Sequence, residues 1–517
     1  MAELDTPPLH QFMSYELKEE IESPIKATVS GSIPEWLTGS LIRVGPGKFT
    51  VGPHKFKHWF DGMAVLHKFS FKQGAVFYQN KFLQSDSYLE SLNKTYHAKT
   101  EFGTAAMADP CKSLFQKFMA WFAPAVLSSD NSNVNLFEAA GDFWATGETA
   151  RTYQIDSESL DTGEKVDFTK RVKLHTATAH PHTDSDGTIF NLGTLFLYKS
   201  MYEFFKVSPK RGPDNQVEVK SIGTLIASYP NPSYYHSYGM TENYFILVEQ
   251  PLFVNSLRLA FGGLFRYSFE DATYFDDRKK TVIRVFSRKT GKSLVTRYKY
   301  TADPLFLFHH INAYEEDDHI VFDVAAYDNP SIIKQTYFSN LASPSEPPPE
   351  SSVRRFVLPQ HMEGKVSDDL NKLSYTSATA VIKIDGSVHC TPEILCHESL
   401  DLPRINYDYN ARKYRYAYFV GNFLPSESSP LNLTKLDVEE KSFKSWSEKD
   451  CFASEPVFVP RPGGEAEDDG VILSAVVRQT ENPSSFLLVL NAADFTEIGR
   501  AEIDRQIPAT LHGLYVN

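Results

Sequence analysis

The apolar and polar positions along this chain alternate in the manner of short strands. Bounded apolar runs recur at 74–78, 141–146, 188–191, 244–248 and 319–324, and again at 378–382, 414–419, 471–477 and 486–490. Each is closed by Gly, Asp, Asn or Pro, the residues that turns require. An Asp-Gly pair precedes a strand at Asp186-Gly187, Asp385-Gly386 and Asp469-Gly470, a strong local hairpin signal. No sharp repeat period links these units. Many short strands with little helix argue for a propeller, a sandwich or a large barrel, and at this length a propeller is the best single choice. The chain is read as one all-β domain spanning residues 1–517.

A few stretches depart from the pattern. Residues 1–30 read as an extended lead-in. Residues 34–43 form a short amphipathic turn running into a strand, which the breakers in RVGPG (43–47) should end. Residues 105–130 form an apolar insertion. Within it, CKSLFQKFMAWFAPAVL (111–127) reads as an amphipathic helix with Phe115, Phe118, Met119 and Phe122 on one face. That face either caps the core or dips into a membrane surface. SPSEPPPESS (343–352) is a surface loop inserted within the domain.

Composition narrows the class. The 517 residues are 42% hydrophobic and 23% charged, which suits a globular protein. A net charge of −13 excludes nucleic acid as a partner, because phosphate binding needs concentrated Lys and Arg. The four cysteines, Cys111, Cys390, Cys396 and Cys451, lack zinc spacing and suit a reducing cytoplasm. The N-terminal residues show no secretory signal, so the sequons at Asn93 and Asn432 are expected to be unused. No apolar run reaches the ~18 residues that span a bilayer. The 38 Phe and 26 Tyr could pack strands or line a tunnel for a long apolar ligand.

The chemistry-bearing residues are histidines. LHTATAHPHTDSDGTIFNLG (174–193) places His175, His180 and His182 just before an Asp-Gly turn, where a strand ends. Of the sixteen histidines, His180, His236, His309 and His512 stand in similar contexts, at strand ends among apolar neighbours. They lie too far apart for a local zinc module or a HExxH helix. Separate blades could each send one imidazole to a common axis, and four unrelated histidines would give the same spacing. Neutral imidazoles suit iron, copper or zinc alike.

Ten motifs in a fixed order give the chain a resemblance. They are GSLIRVGPGKF (39–49), HWFDGM (58–63), EFGT (101–104), DPCK (109–112), TAHPH (178–182), YYHSYGMT (234–241), FHHINAYE (308–315), LPRINY (402–407), SEPVFVPRP (454–462) and EDDGVILSAVV (467–477). Together they resemble the carotenoid cleavage oxygenases, a family that includes the animal carotene dioxygenases and the retinoid isomerohydrolase of the eye. The resemblance implies a seven-bladed β-propeller with a dome of loops and short helices over an axial metal site. It implies Fe(2+) held by His180, His236, His309 and His512, with His182 and His310 outside the ligand set. It implies Glu148, Asp401 and Glu455 as acceptors for His236, His309 and His512 respectively.

Two positions depart from the family pattern. Asp401 is one methylene shorter than the usual glutamate, so either the backbone moves in or its contact to His309 lengthens. Gly147 stands where animal relatives commonly carry threonine, and it would either open a coordination position or serve the local backbone. Phe102, Phe60 and Gly147 are the candidate tunnel residues. DPCK and the apolar segment after it resemble a membrane-docking part, with Cys111 a candidate for palmitoylation.

The implied reaction is cleavage of a carotenoid double bond by O2 to apocarotenoid aldehydes. Central 15,15′ cleavage to retinal is preferred, with coupled trans–cis isomerisation in some relatives. Eccentric 9′,10′ cleavage, retinyl ester isomerohydrolysis and non-catalytic carotenoid binding are the alternatives. The implied location is cytoplasmic and peripheral to a membrane, with the oligomeric state open.

Overall fold

The computed structural model describes residues 8–107, 129–294, 299–361, 363–426, 430–480 and 483–517. Most of the apolar insertion, including Cys111 and the expected amphipathic helix, lies outside the described residues. Seven sheets of four to six strands form the blades of a β-propeller, antiparallel except where Lys299–Ala302 pairs in parallel with Ser387–Thr391 in the fourth blade. Blade 1 orders Ile21–Lys26, Ala75–Phe82, Met63–Lys72, Gly39–Lys48 and His512–Val516. Blade 2 is built from Thr162–Asp167, Arg151–Ile155, Asp142–Thr146 and Asn135–Ala139. Blade 3 runs inward from Val219–Ile226 to Ile189–Leu195, which pairs with both Thr176–Ala177 and His182–Thr183. Blades 4, 5 and 6 begin at Gly239–Met240, Phe306–Glu316 and Leu400–Ile405. In blade 7, Cys451–Ala453 and Val457–Pro460 share the neighbour Gly470–Arg478.

The apolar runs become the middle strands. His319–Tyr327 is buried at every position and Gly470–Arg478 at all but its last, because each blade is covered on both faces by its neighbours. Strands in that setting read as continuous apolar runs rather than as alternation. Outer strands lose the pattern, and Ser442–Trp446 is almost wholly exposed. Between blades 3 and 4, Phe204 stacks on Phe286 with ring centroids 4.5 Å apart. Two of the three Asp-Gly pairs make the turns their residue types require; at the third, Gly470 already opens a strand and is not at positive φ. Gly187 and Gly386 take φ of +80° and +76°, while Asp186 and Asp385 accept the backbone N–H two residues on.

Two expectations change. The RVGPG stretch does not end its strand, since Gly39–Lys48 runs through it with a register shift between Pro46 and Lys48. Proline removes one ladder donor, but the strand is held from both sides, by Met63–Lys72 and by His512–Val516. The N-terminal lead-in is more engaged than expected. Pro8–Met13 is a helical turn, Ile21–Lys26 edges blade 1, and Thr28–Gly31 edges blade 7.

The ring therefore closes at two levels: the N-terminal strands bridge blades 7 and 1 outside, and the C-terminal strand completes blade 1 inside. Arg43, fully buried, secures the inner closure. Its guanidinium donates to Thr510 Oγ1 at 2.7 Å, the Glu455 carbonyl at 2.9 Å and the Leu511 carbonyl at 3.0 Å. Among the described residues no helix is long and apolar enough to cross a membrane.

Removing Arg43 would orphan three buried acceptors, each worth about 1–3 kcal/mol. Arg43→Met is therefore expected to lower the thermal midpoint well below that of His512→Ala, which leaves the closing strand in place. Calorimetry of the two variants checks this ordering.

Candidate functional site

Every blade sends one residue of the site toward the axis. His180 lies between the two short inner segments of blade 3, and His236 just before the inner strand of blade 4. His309 stands in the inner strand of blade 5 where the pairing shifts register, between Leu307 and His310. Such a bulge re-aims a side chain out of the regular alternation. His512 opens the C-terminal strand of blade 1. The acids come from the other three blades: Glu148 from blade 2, Asp401 from blade 6 and Glu455 from blade 7.

The four imidazoles converge. One potential ligand nitrogen from each lies within 4.8 Å of the others. His180 Nε2 and His236 Nε2 are 2.8 Å apart. The centroid of the His180 ring is 5.0 Å from that of His309 and 4.6 Å from that of His512.

Three of the rings are oriented by acids. His236 Nδ1–H donates to Glu148 Oε1 at 2.5 Å, His309 Nδ1–H to Asp401 Oδ1 at 2.7 Å, and His512 Nδ1–H to Glu455 Oε1 at 2.6 Å. A neutral imidazole carries one N–H, so these bonds leave Nε2 as a bare lone pair in each ring. His309 Nε2 is buried without a hydrogen-bond partner. His180 has no carboxylate; the Asn135 side chain sits 3.5 Å from its Nδ1.

The electrostatics favour this tautomeric state. Burial pushes His512 down to about 4, against the opposing pull of Glu455. Burial, reinforced by the three neighbouring imidazoles, holds His180 well below the ordinary histidine range. For Glu455 burial alone would raise the carboxyl, but Arg404 and His512 outweigh it and hold it below the carboxylate range. Asp401 is lowered for the same kind of reason, with His309 overcoming the effect of burial. At His512 a neutral ring thus faces an ionised Glu455, as a metal ligand and its acceptor require.

The shorter side chain of Asp401 does not lengthen its contact to His309. The strand bulges between Asp401 and Arg404, Leu402 takes φ of +51°, and the carboxylate also accepts from Tyr327 Oη at 2.8 Å. Gly147 is not a wall of the cavity. A Cβ there would lie 3.0 Å from the Asn131 carbonyl oxygen, so the glycine serves a close backbone approach. Phe60 and Phe102 do line the cavity, their ring centroids 5.5 Å apart. His182 and His310 stay outside the cluster.

Several partners escaped the sequence reading. Arg404 clasps both oxygens of Glu455, at 2.7 and 3.1 Å, and Tyr234 Oη donates to Glu148 Oε1 at 2.7 Å. Arg43 and Arg404 are charges set among apolar residues inside GSLIRVG and LPRINY, and that contrast was the available signal.

His236, His309 and His512 form part of the wall of a cavity enclosing about 1360 Å³ including its mouth, with Phe102, Phe269 and Phe308 among its aromatic residues. Comparison with known proteins places this arrangement. A family model described as RPE65, Retinal pigment epithelial membrane protein, matches residues 15–517. The chain belongs to this carotenoid oxygenase family. It is 42% identical over 96% of its length to the mouse (Mus musculus) "Beta,beta-carotene 15,15'-dioxygenase", covering 90% of that protein. It is 40% identical to the human (Homo sapiens) "Carotenoid-cleaving dioxygenase, mitochondrial", covering 96% of this chain and 89% of the relative. Among solved structures, cobalt-substituted Synechocystis ACO superposes with a TM-score of 0.76 at 22% identity, covering 99% of each chain. An ACO/RPE65 chimera gives 0.77 at 21% identity, covering 99% of this chain and 100% of the chimera. These two likenesses are of fold.

Asp401→Asn keeps the shape but removes the charged acceptor for His309 Nδ1–H. Loss of such an acceptor typically weakens metal binding about 10–100-fold. The variant is expected to lose a divalent first-row metal ion to a chelator faster than the parent at an unchanged thermal midpoint, as metal analysis after loading and dialysis would record.

Proposed function

We propose that this chain is an iron(II)-dependent dioxygenase that splits the central 15,15′ double bond of a carotenoid with O2 to give retinal. The observation that carries the reading is the convergence of four imidazoles, three with their Nδ1–H engaged by an acid, at one wall of an aromatic cavity. The orphaned lone pair of His309 Nε2 and the all-nitrogen donor set fit a divalent first-row metal. His180, His236, His309 and His512 would hold it, with Glu148, Asp401 and Glu455 fixing the rings. Ferrous iron bound there supplies activation of dioxygen.

The rest is the work of the chain. Phe60, Phe102, Phe269 and Phe308 present ring faces and edges that hold a rigid polyene and keep water from it. Placing the bond beside the metal is the protein's contribution, and the redox chemistry belongs to the metal and O2. The names of the mouse and chicken relatives, 42% and 41% identical, support 15,15′ as the bond.

A peripheral membrane contact belongs to the same reading. Phe196 lines the cavity, and the next residues, Leu197 and Tyr198, are exposed. Val254 and Phe269 also line it, and the segment between them exposes Leu257, Phe261 and Phe265 beside Arg258 and Arg266. An apolar patch with basic residues suits an anionic lipid surface, and it adjoins the cavity a nearly insoluble substrate must enter.

Two experiments test these readings. Purified protein incubated with all-trans β-carotene and 18O2 is expected to yield retinal carrying the label. Inertness toward β-carotene with turnover of a retinyl ester would reverse the assignment. In vesicle flotation with anionic liposomes, the double variant Leu257→Asp, Phe261→Asp is expected to stay with the soluble fraction while turning over detergent-dispersed carotenoid at the parent rate. Unchanged flotation would sink the membrane reading.

A further inference from the structure

Glu101 opens the EFGT motif, directly before the cavity residue Phe102. Three acids line the cavity: Glu101, Glu148 and Asp401. Glu148 and Asp401 each hold a histidine and a tyrosine hydroxyl. Glu101 is engaged differently. Among the described residues its two carboxyl oxygens share one donor, the Ser129 hydroxyl, which lies 2.7 Å from both. Ser129 lines the cavity too.

That sharing decides the protonation. A serine hydroxyl carries one hydrogen, too little support for a buried anion. Asp130 shows what an anion takes in this region, since Ser87, Tyr153 and Lys165 all donate to it. Burial is the largest influence on the Glu101 carboxyl and pushes it well up; Asp61 and Asp130 add to this, and Ser129 and Lys99 are outweighed. Glu101 is therefore a neutral acid, and it and Ser129 hold two O–H hydrogens between them. One of these joins the pair. Two near-linear bonds cannot run at once between one carboxyl and one hydroxyl oxygen, so the second hydrogen is left over. Ser87 Oγ, 3.5 Å from Ser129 Oγ, is too far to take it.

A rank of rings connects this pair with the histidines. Phe102 follows Glu101, and its ring centroid is 5.5 Å from that of Phe60. Phe60 is 6.1 Å from Phe308, and Phe308 is 5.2 Å from His236. A polyene held along these rings with its middle at the histidines extends an end group toward Glu101. A hydrocarbon end leaves the spare hydrogen unmade as a bond. An alcohol matches the pair in both directions, because its oxygen accepts that hydrogen and its own hydrogen meets the pair's unused lone pairs.

We propose that the Glu101–Ser129 pair donates a hydrogen bond to a hydroxyl on the end ring of the bound carotenoid, so that the cavity favours ring-hydroxylated carotenoids over hydrocarbon ones. This preference rests on the carotenoid reading above and narrows its substrate class. Glu101 determines specificity here and takes no part in bond cleavage.

Competition between all-trans β-carotene and its 3,3′-dihydroxy derivative tests the preference. The parent is expected to show a kcat/KM about 2–10-fold higher for the dihydroxy carotenoid, the worth of one hydrogen bond. Glu101→Met is expected to bring that ratio to one or below, whereas Glu101→Gln, whose amide still donates, keeps it above one. A parent ratio at or below one, or a ratio that Glu101→Met leaves unchanged, overturns the preference. Infrared spectroscopy gives a second reading that needs no turnover. The parent is expected to show a protonated-carboxyl band that Glu101→Gln lacks, and this band shifts when the dihydroxy carotenoid binds but not when β-carotene binds. Absence of the band, or the same response to both carotenoids, overturns the hydrogen bond. If neither carotenoid is cleaved, the dioxygenase reading falls, and the infrared shift still decides the role of Glu101.

Discussion

The hydrogen bond from an imidazole Nδ1–H to a carboxyl is the interaction on which this site depends. It occurs three times, at His236, His309 and His512, and each time it decides which nitrogen faces the axis. Without it the rings could turn, or carry the proton on the wrong nitrogen, and four histidines in one place would be a cluster without a donor set. The acids are themselves held. Glu455 accepts from Arg404 and from the Gly513 backbone, Asp401 from Tyr327, and Glu148 from Tyr234. A buried carboxylate is tolerated only when its oxygens are engaged in this way.

The propeller turns this chemistry into geometry. Residues far apart in sequence reach one point because each blade presents an inner edge to the axis. Blades 1, 3, 4 and 5 give histidines, and blades 2, 6 and 7 give acids. Each acid that orients a ring thus comes from a different blade than the ring it serves. The cluster is sensitive to how blades sit against each other, which is set by apolar packing such as Phe204 on Phe286 and by ties such as Ser237 to the Phe308 carbonyl.

Much of this was legible in the chain. The middle strands announced themselves as apolar runs because both faces are covered, and two Asp-Gly turns because only certain residues accept a positive φ. Outer strands such as Ser442–Trp446 left no apolar signal, since they pack on one side at most. The site histidines were legible through motifs rather than spacing, because convergence on an axis erases any local periodicity. RVGPG misled because breakers act on an isolated strand, whereas this one is clamped by two neighbours. At Gly147 the sequence showed an absent side chain but not its direction, and that direction is toward Asn131. Asp401 posed a choice that only the backbone could make, and a bulge made it.

The seam between Gly39–Lys48 and His512–Val516 joins one of the first strands to the last. A chain emerging from the ribosome begins to fold from its N-terminal end. Here six of the seven site residues can be made and placed while the seventh is still untranslated. The donor set is therefore complete only once His512 has been made and the seam beside Gly39–Lys48 has closed.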